Sequence, residues 1–393
     1  MKRFSILISK IAITVAQLGF TTQLMACTPN YSAPSTQQVN QQLHPKKKTK
    51  IQVALLLDTS SSMSGLIDQA KGRLWNIINT LTTLRYEGVE PILEISLYEY
   101  GNDNLNAAEG FVRQVTPFTT DLDYLSEKLF ALTINGGLEY CGTVIQKSVQ
   151  QLQWDNNDKS MRLIYIAGNE AFSQGNIHYN EAISSAIQKN IYVNTIYCGD
   201  YKSGISLNWQ NGALKGNGKY FNIDHNVRVK YIETPYDKEI EKLNVQLNST
   251  YHGYGTLGKA KKSNQVEQDA NAQKMDKTIY TERAVSKSKG AYTNESWDMV
   301  DAYKKDKNFT KTVQKEALPE EFQGLSEAEL EAKIVHVEKE RSKIQEELNK
   351  KAKERTIYIE KQSHNSSEGD DLGKAIIESI FTLAKQNQYT IAQ

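Results

Sequence analysis

The run Ile51–Leu57 is apolar except for Gln52, the pattern of a strand buried on both faces of a parallel sheet. It ends in Asp58-Thr59-Ser60-Ser61-Ser62, and a helical pattern follows at once, with apolar residues at Leu66, Ala70, Leu74, Ile77, Ile78, Leu81 and Leu84. The alternation continues downstream. Ile92–Tyr100 reads as a strand and Phe111–Val115 as a short edge strand. Leu122–Leu132 and Thr143–Trp154 read as helices, the second with Val144, Ile145, Val149 and Leu152 on one face. Leu163–Ala167 is a short buried strand, Glu181–Lys189 a helix, Ile191–Cys198 a strand and Tyr220–Ile223 the last. Such a succession predicts an α/β fold, doubly wound, with a mostly parallel sheet covered by helices on both faces.

Beyond Gly255 the pattern weakens. Residues 255–318 form a polar extension in which Trp297, Met299 and Val300 mark a small packed segment. The stretch Gly253-x4-Gly258-Lys259 is close to a phosphate-binding loop, but Ala260 stands where Ser or Thr is required and no strand pattern precedes it. It reads as a flexible exit from the domain. Over 319–364, the pair Ser326 and Glu329 forms a capping box that opens a long helix carrying Leu330, Ile334, Val337, Ile344 and Leu348. To Gln362 that helix spans about 50 Å. Arg341 falls on its heptad seam, which favours a coiled-coil hairpin or a helix lying on the domain over a long zipper. The closing stretch 365–393 holds an amphipathic helix, Asp371–Gln386, with Ile376, Ile377, Ile380, Phe381 and Leu383.

The first residues read as a targeting segment. Lys2 and Arg3 precede the largely apolar Ile6–Phe20, and Leu24-Met25-Ala26-Cys27 resembles the lipobox of bacterial lipoproteins. That resemblance implies a signal peptide over 1–26, diacylglycerol on the Cys27 thiol, and a lipid-anchored place in the bacterial cell envelope, on the outer membrane, with the periplasmic or surface face left open. The alternative is an ordinary signal peptide with a chance cysteine. Each buried methylene of an acyl chain contributes about 0.8 kcal/mol to attachment. Residues 27–49 are rich in Gln, Pro, Ser and Lys and hold three of the seven prolines, which predicts a flexible tether. A hydrophobic content of 39% allows a normal core, and a net charge of +1 gives no reason to expect nucleic acid.

The chemistry centres on the first loop. In an open α/β sheet, ligands bind beyond the carboxyl ends of the strands. One carboxylate and two hydroxyls at D-x-S-x-S spacing supply compact, hard oxygen donors, which suit Mg²⁺ or Mn²⁺ better than zinc. The strand, the D-x-S-x-S loop and the helix together resemble the metal-ion-dependent adhesion site of von Willebrand factor A (VWA) domains, over Lys50 to Tyr254. The resemblance implies a Rossmann-like VWA fold and Asp58, Ser60 and Ser62 as ligands of Mg²⁺ (or Mn²⁺ or Ca²⁺). It also implies a non-catalytic protein-binding module whose partner completes the metal shell with a carboxylate.

Two loops depart from the family's pattern. Where the family has a threonine, the second loop reads Gly136-Gly137-Leu138-Glu139-Tyr140-Cys141-Gly142-Thr143, so that either Glu139 or Thr143 reaches the metal, with Glu139 preferred as a carboxylate on a glycine-flanked loop. The third loop reads Gly168-Asn169-Glu170, and Asn169 or Glu170 takes the place of the family's aspartate, directly or through water. The Gly-Asn-Glu-x-Phe-x-Gln-Gly form, with Gly-Gly-x-Glu-x-x-Gly upstream, resembles a bacterial lipoprotein subgroup of A domains. If Glu139 and Glu170 both bind, the ion gains less from a partner's carboxylate, and its role becomes structural.

Three further readings stand beside this one. Asp58 after a strand is reminiscent of the nucleophile of haloacid-dehalogenase-like phosphatases, yet those require D-x-D and position 60 is Ser. With no G-x-S-x-G elbow and no H-E-x-x-H spacing, a metal-dependent hydrolase or phosphatase-like enzyme is the alternative to a binding module. A scaffold acting through the C-terminal helix is the third class. Cys141 and Cys198 both fall toward the carboxyl side of the sheet. In an exported protein they are expected to form a disulfide, with two buried free thiols as the alternative.

Overall fold

A computed structural model describes residues 48–224, 232–364 and 371–392. The leader, most of the tether and Cys27 lie outside the described residues. Strand β1 (Lys50–Asp58) runs up the middle of a six-stranded sheet whose order is β4-β3-β1-β5-β6-β7. The other strands of the sheet are β3 (Ile92–Tyr100), β4 (Val112–Thr119), β5 (Met161–Gly168), β6 (Ile191–Cys198) and β7 (Asn217–Ile223). All pair in parallel except β4, which runs antiparallel to β3 at the edge. The expected doubly wound, mostly parallel α/β sheet is thus present, flanked by helices and followed by a helical C-terminal region.

Alternate residues of β1 explain why its apolar run is nearly continuous. Val53, Leu55 and Leu57 enter one core with α1 (Ile67–Leu81) and α2 (Leu122–Phe130), whereas Ala54 and Leu56 enter the other with α3 (Cys141–Gln151) and α4 (Tyr179–Gln188). Both faces are covered, so neither tolerates a regular polar position. The exception, Gln52, is buried and satisfied: its amide donates to Glu94 at 2.7 Å and its carbonyl accepts from the Asp155 N–H at 2.7 Å. Two short helices between β6 and β7, α5 (Tyr201–Ser206) and α6 (Trp209–Lys215), add the buried Trp209 to the second core.

The polar extension is not loose. After α7 (Asp237–Ser249), its helices α8 (Gly255–Met275) and α9 (Lys277–Ser286) pack on α2 and α1 respectively, and α9 also packs on α7. The Gly253–Lys259 stretch, expected as a flexible exit, is the packed start of α8. Gly253 bridges Asp298, and a Cβ on Gly253 would lie 2.4 Å from the Gly258 carbonyl oxygen. A third core joins α10 (Met299–Lys305), α11 (Phe309–Thr312) and α12 (Glu320–Gln323) to the long α13 (Glu327–His364), through Met299, Tyr303, Phe309, Phe322, Leu330 and Ile334.

Of the two expectations for α13, a helix lying on the domain is the one that forms. Arg341, the residue that spoils its heptad seam, is buried against Asp298 at 2.7 Å and Asp301 at 3.0 Å. Helix α14 (Asp371–Gln386) places Ile376, Ile380 and Leu383 in the first core. The periodicity did not mark β2 (Leu84–Tyr86) or β8 (Tyr389–Ile391), which pair with each other, and the Tyr389 hydroxyl reaches the Lys159 carbonyl at 2.9 Å.

Candidate metal site

The sheet places the D-x-S-x-S loop at a topological switch point. From β1 the chain moves to one side, to β3 and β4, and then crosses back to β5 on the other side. The crevice above the carboxyl ends of β1 and β5 is where such sheets bind ligands. Asp58 closes β1, and Gly168 closes β5 immediately beside it, so close that a Cβ on Gly168 would sit 3.2 Å from that of Asp58.

The loop folds by capping itself. The Ser60 N–H donates to Asp58 Oδ1 at 2.7 Å, and the Thr59 N–H donates to the Tyr100 carbonyl at 2.9 Å. The turn brings the Ser60 and Ser62 hydroxyls to 2.7 Å from one another. Ser62 Oγ donates to Asn169 Oδ1 at 3.0 Å and approaches Glu139 Oε1 at 3.4 Å. Asp58, Ser60, Ser62, Glu139 and Asn169, from three loops far apart in sequence, are therefore brought together.

Glu170 and Thr143 stand apart from this cluster. Glu170 is exposed, and its carbonyl accepts from the Trp209 indole at 2.7 Å. Its charge nonetheless adds to the upward push on the Glu139 carboxyl. The methyl of Thr143 faces Gly110, where a Cβ would lie 2.9 Å from it.

Two carboxyl oxygens in the cluster, Asp58 Oδ2 and Glu139 Oε2, are buried and receive no hydrogen bond from the rest of the protein, and the two carboxyls they belong to face one another. Burial pushes Glu139 up to about 9, with the Asp58 charge as the next cause. Burial likewise lifts Asp58 to about 6, against the opposing pull of Glu139 and of the Ser60 N–H. Two adjacent buried carboxyls resist carrying two negative charges unless a cation joins them. Leaving such an oxygen unpaired costs about 1–3 kcal/mol. The donors are all hard oxygens, which fits a small divalent cation. Among the described residues, no group of three or more His, Cys, Asp or Glu could hold a metal, so the candidate set depends on its hydroxyls.

The pattern of the sequence left several supporting residues unmarked. Gly101, at the end of β3, adopts φ +81°, and a Cβ there would stand 2.8 Å from Glu139 Cγ and 2.9 Å from Asp58 Oδ1. Glycine satisfies both the left-handed backbone and the close approach of the two carboxyls. Beneath them the buried Tyr100 hydroxyl donates to the Ala167 carbonyl at 3.0 Å. Neither residue carried a sequence signal, because each acts through a contact between strands.

The expected Cys141–Cys198 disulfide is not formed. Both thiols are free and buried. Cys141 belongs to the core on the α3 side of the sheet, with Sγ 3.8 Å from the Tyr100 hydroxyl, and Cys198 belongs to the core on the opposite face. Proximity to the same end of the sheet is not enough, because the sheet itself lies between them.

No protein-family model and no curated protein matches the chain. Among solved structures, the conserved hypothetical protein BatB from Bacteroides thetaiotaomicron is 17% identical, covering 44% of this chain and 90% of that one at a TM-score of 0.34. The SpRpn10 VWA domain is 14% identical over 45% of this chain and 89% of its own, at a TM-score of 0.33. Proximal thread matrix protein 1 from the mussel byssus, with a zinc-occupied MIDAS motif, is 9% identical over 46% of this chain and 43% of its own, at a TM-score of 0.33.

Proposed function

We propose that this protein is a membrane-tethered, metal-dependent protein-binding module of the VWA type, working in adhesion or assembly and not in catalysis. The observation that carries the reading is the facing pair of buried carboxyls whose oxygens Asp58 Oδ2 and Glu139 Oε2 receive no hydrogen bond from the rest of the protein, beside the Ser60 and Ser62 hydroxyls. Mg²⁺, or Mn²⁺ or Ca²⁺, would neutralise the two carboxyls and supply an electrophilic centre for an oxygen of the partner. Asp58, Ser60, Ser62 and Glu139 would hold it, with Asn169 contributing directly or through water and Glu170, which stands outside the cluster, through water only. A carboxylate on the partner protein would complete the shell. Lipid on Cys27 would tether the module in the bacterial cell envelope. Among the described residues, no helix is long and apolar enough to cross a membrane.

Calorimetry with Mg²⁺ and Mn²⁺ tests the site, and a panel of phosphoesters and esters, with and without Mg²⁺, tests the non-catalytic part. Saturable metal binding without turnover is the expected result. Metal-dependent hydrolysis abolished by Asp58→Ala would move the reading to the enzyme alternative.

The scaffold reading draws on a different observation: Val335 and Ile357 on α13 are about half exposed, at 46% and 51%. Deleting α13 would strip the buried Leu330, Ile334 and Leu348 from their cores. Val335→Glu with Ile357→Glu is the cleaner test. Loss of partner capture in that variant, with metal binding intact, would place recognition on the helix.

A further inference from the structure

The motif's intervening residue, Ser61, has contacts of its own. Its N–H donates to the Gly136 carbonyl at 2.8 Å, and its Oγ accepts from the Gly136 N–H at 3.0 Å. One residue earlier, the Thr59 carbonyl accepts from the Asn135 N–H at 3.0 Å. From the other side, the Asp103 N–H donates to the Asn135 carbonyl at 3.1 Å. Gly136 is squeezed between these neighbours with φ +82°, and a Cβ there would meet the Asp103 backbone nitrogen at 2.5 Å. The far end of the same stretch is also held, because the Glu139 N–H donates to Gln174 Oε1 at 2.5 Å.

We infer that Ser61 is a positioning residue: it clamps Gly136 in a two-point hydrogen bond and so fixes where the second loop delivers the Glu139 carboxylate. The inference rests on the metal-site reading above and adds to it a residue that is not itself a ligand. The physical reason is leverage. Gly136 and Gly137 give the loop wide backbone freedom, and Leu138 is exposed and anchors nothing in a core. The stretch Gly136–Glu139 is therefore placed by its two ends, Ser61 at one and Gln174 at the other. Groups that orient a ligand from outside the shell commonly change metal affinity by about 10–100-fold when removed.

The test compares Ser61→Ala, Ser61→Thr and Asp58→Ala with the parent, using Mn²⁺ alone as the probe in calorimetry, plus hydrogen exchange of the metal-free protein. Ser61→Ala should weaken Mn²⁺ about tenfold, the lower end of that range, and speed exchange at the Gly136 amide, with an unchanged thermal midpoint without metal. Ser61→Thr keeps the hydroxyl and should restore both. Parent-like affinity in Ser61→Ala, with binding lost in Asp58→Ala, would overturn the role of Ser61 and leave the site standing. Equal losses in Ser61→Ala and Ser61→Thr would also overturn it. Parent-like affinity in Asp58→Ala would remove the metal site itself.

Discussion

Arg283 Nη2 donates to Asp123 Oδ1 at 2.6 Å, with the arginine side chain fully shielded from solvent and the aspartate almost so. The pair joins α9, from the polar extension, to α2, which leads into the second loop of the candidate metal site. Arg283 also reaches Asp269 at 2.8 Å and Ser126 at 2.7 Å, and Lys287 joins Asp269 from the next turn. The extension is therefore held to the sheet by satisfied buried charge, where its composition offered few apolar contacts. Arg283→Met should destabilise the protein by about 3–5 kcal/mol, because it takes the guanidinium from the buried Asp123, which keeps the Tyr292 hydroxyl, and leaves Asp269 to Lys287. The double variant Arg283→Met/Asp123→Leu should lose less. Urea denaturation of the parent, the Arg283→Met and Asp123→Leu single variants and the double variant checks this, and additive losses in the two single variants would show that no coupling exists.

The same network sets an acid limit. Burial raises the Asp269 carboxyl, but the charges of Lys287 and Arg283 outweigh it and hold the group well below the usual carboxylate range. A depressed carboxyl contributes stability that is full above its unfolded value, about 3.9, and is lost as pH falls through the folded value. The urea midpoint should thus fall steeply below about pH 4. Asp269→Asn should be less stable at neutral pH and show a flatter acid limb. Parallel limbs in the two proteins would assign the acid sensitivity elsewhere.

At the proposed metal site, Asp58→Ala should abolish Mg²⁺ and Mn²⁺ binding in calorimetry while the circular dichroism spectrum stays that of the parent. Glu139→Gln should weaken binding, and Thr143→Ala should do little, since its methyl and not its hydroxyl packs at Gly110. The opposite ranking of those two would move the second-loop ligand to Thr143.

The thiols offer a simple check. Cys141 and Cys198 are nearly inaccessible, and burial pushes both thiols well up from their ordinary value. Both should resist alkylation in the native protein and react fully in denaturant. Peptide mapping without reductant should find no peptide joining the two, and recovery of that peptide would restore the bridge.

For the anchor, Cys27→Ser should shift the protein from the membrane to the soluble fraction. A variant that stays wholly with the membrane would defeat the lipoprotein reading.

The sequence determined the sheet and the polar loop at its carboxyl end because those features are local. A two-sided apolar run such as Ile51–Leu57 can be satisfied only inside a covered parallel sheet, and Asp58, Ser60 and Ser62 are spaced by the loop they cap. Glu139 and Asn169 were legible as polar residues on loops of the right place in the alternation. Tertiary structure decided the rest, because it depends on which groups meet across the fold. The sheet separates Cys141 from Cys198, Gly101 makes room between Asp58 and Glu139, and Ser61 clamps a glycine of the second loop. Arg341 looked like a seam defect in sequence and Arg283 carried no signal there, and both became buried anchors once carboxylates from distant helices were folded against them. Composition measures how much apolar surface a segment owns, but a buried ion pair exists only when both of its partners have been brought to one place.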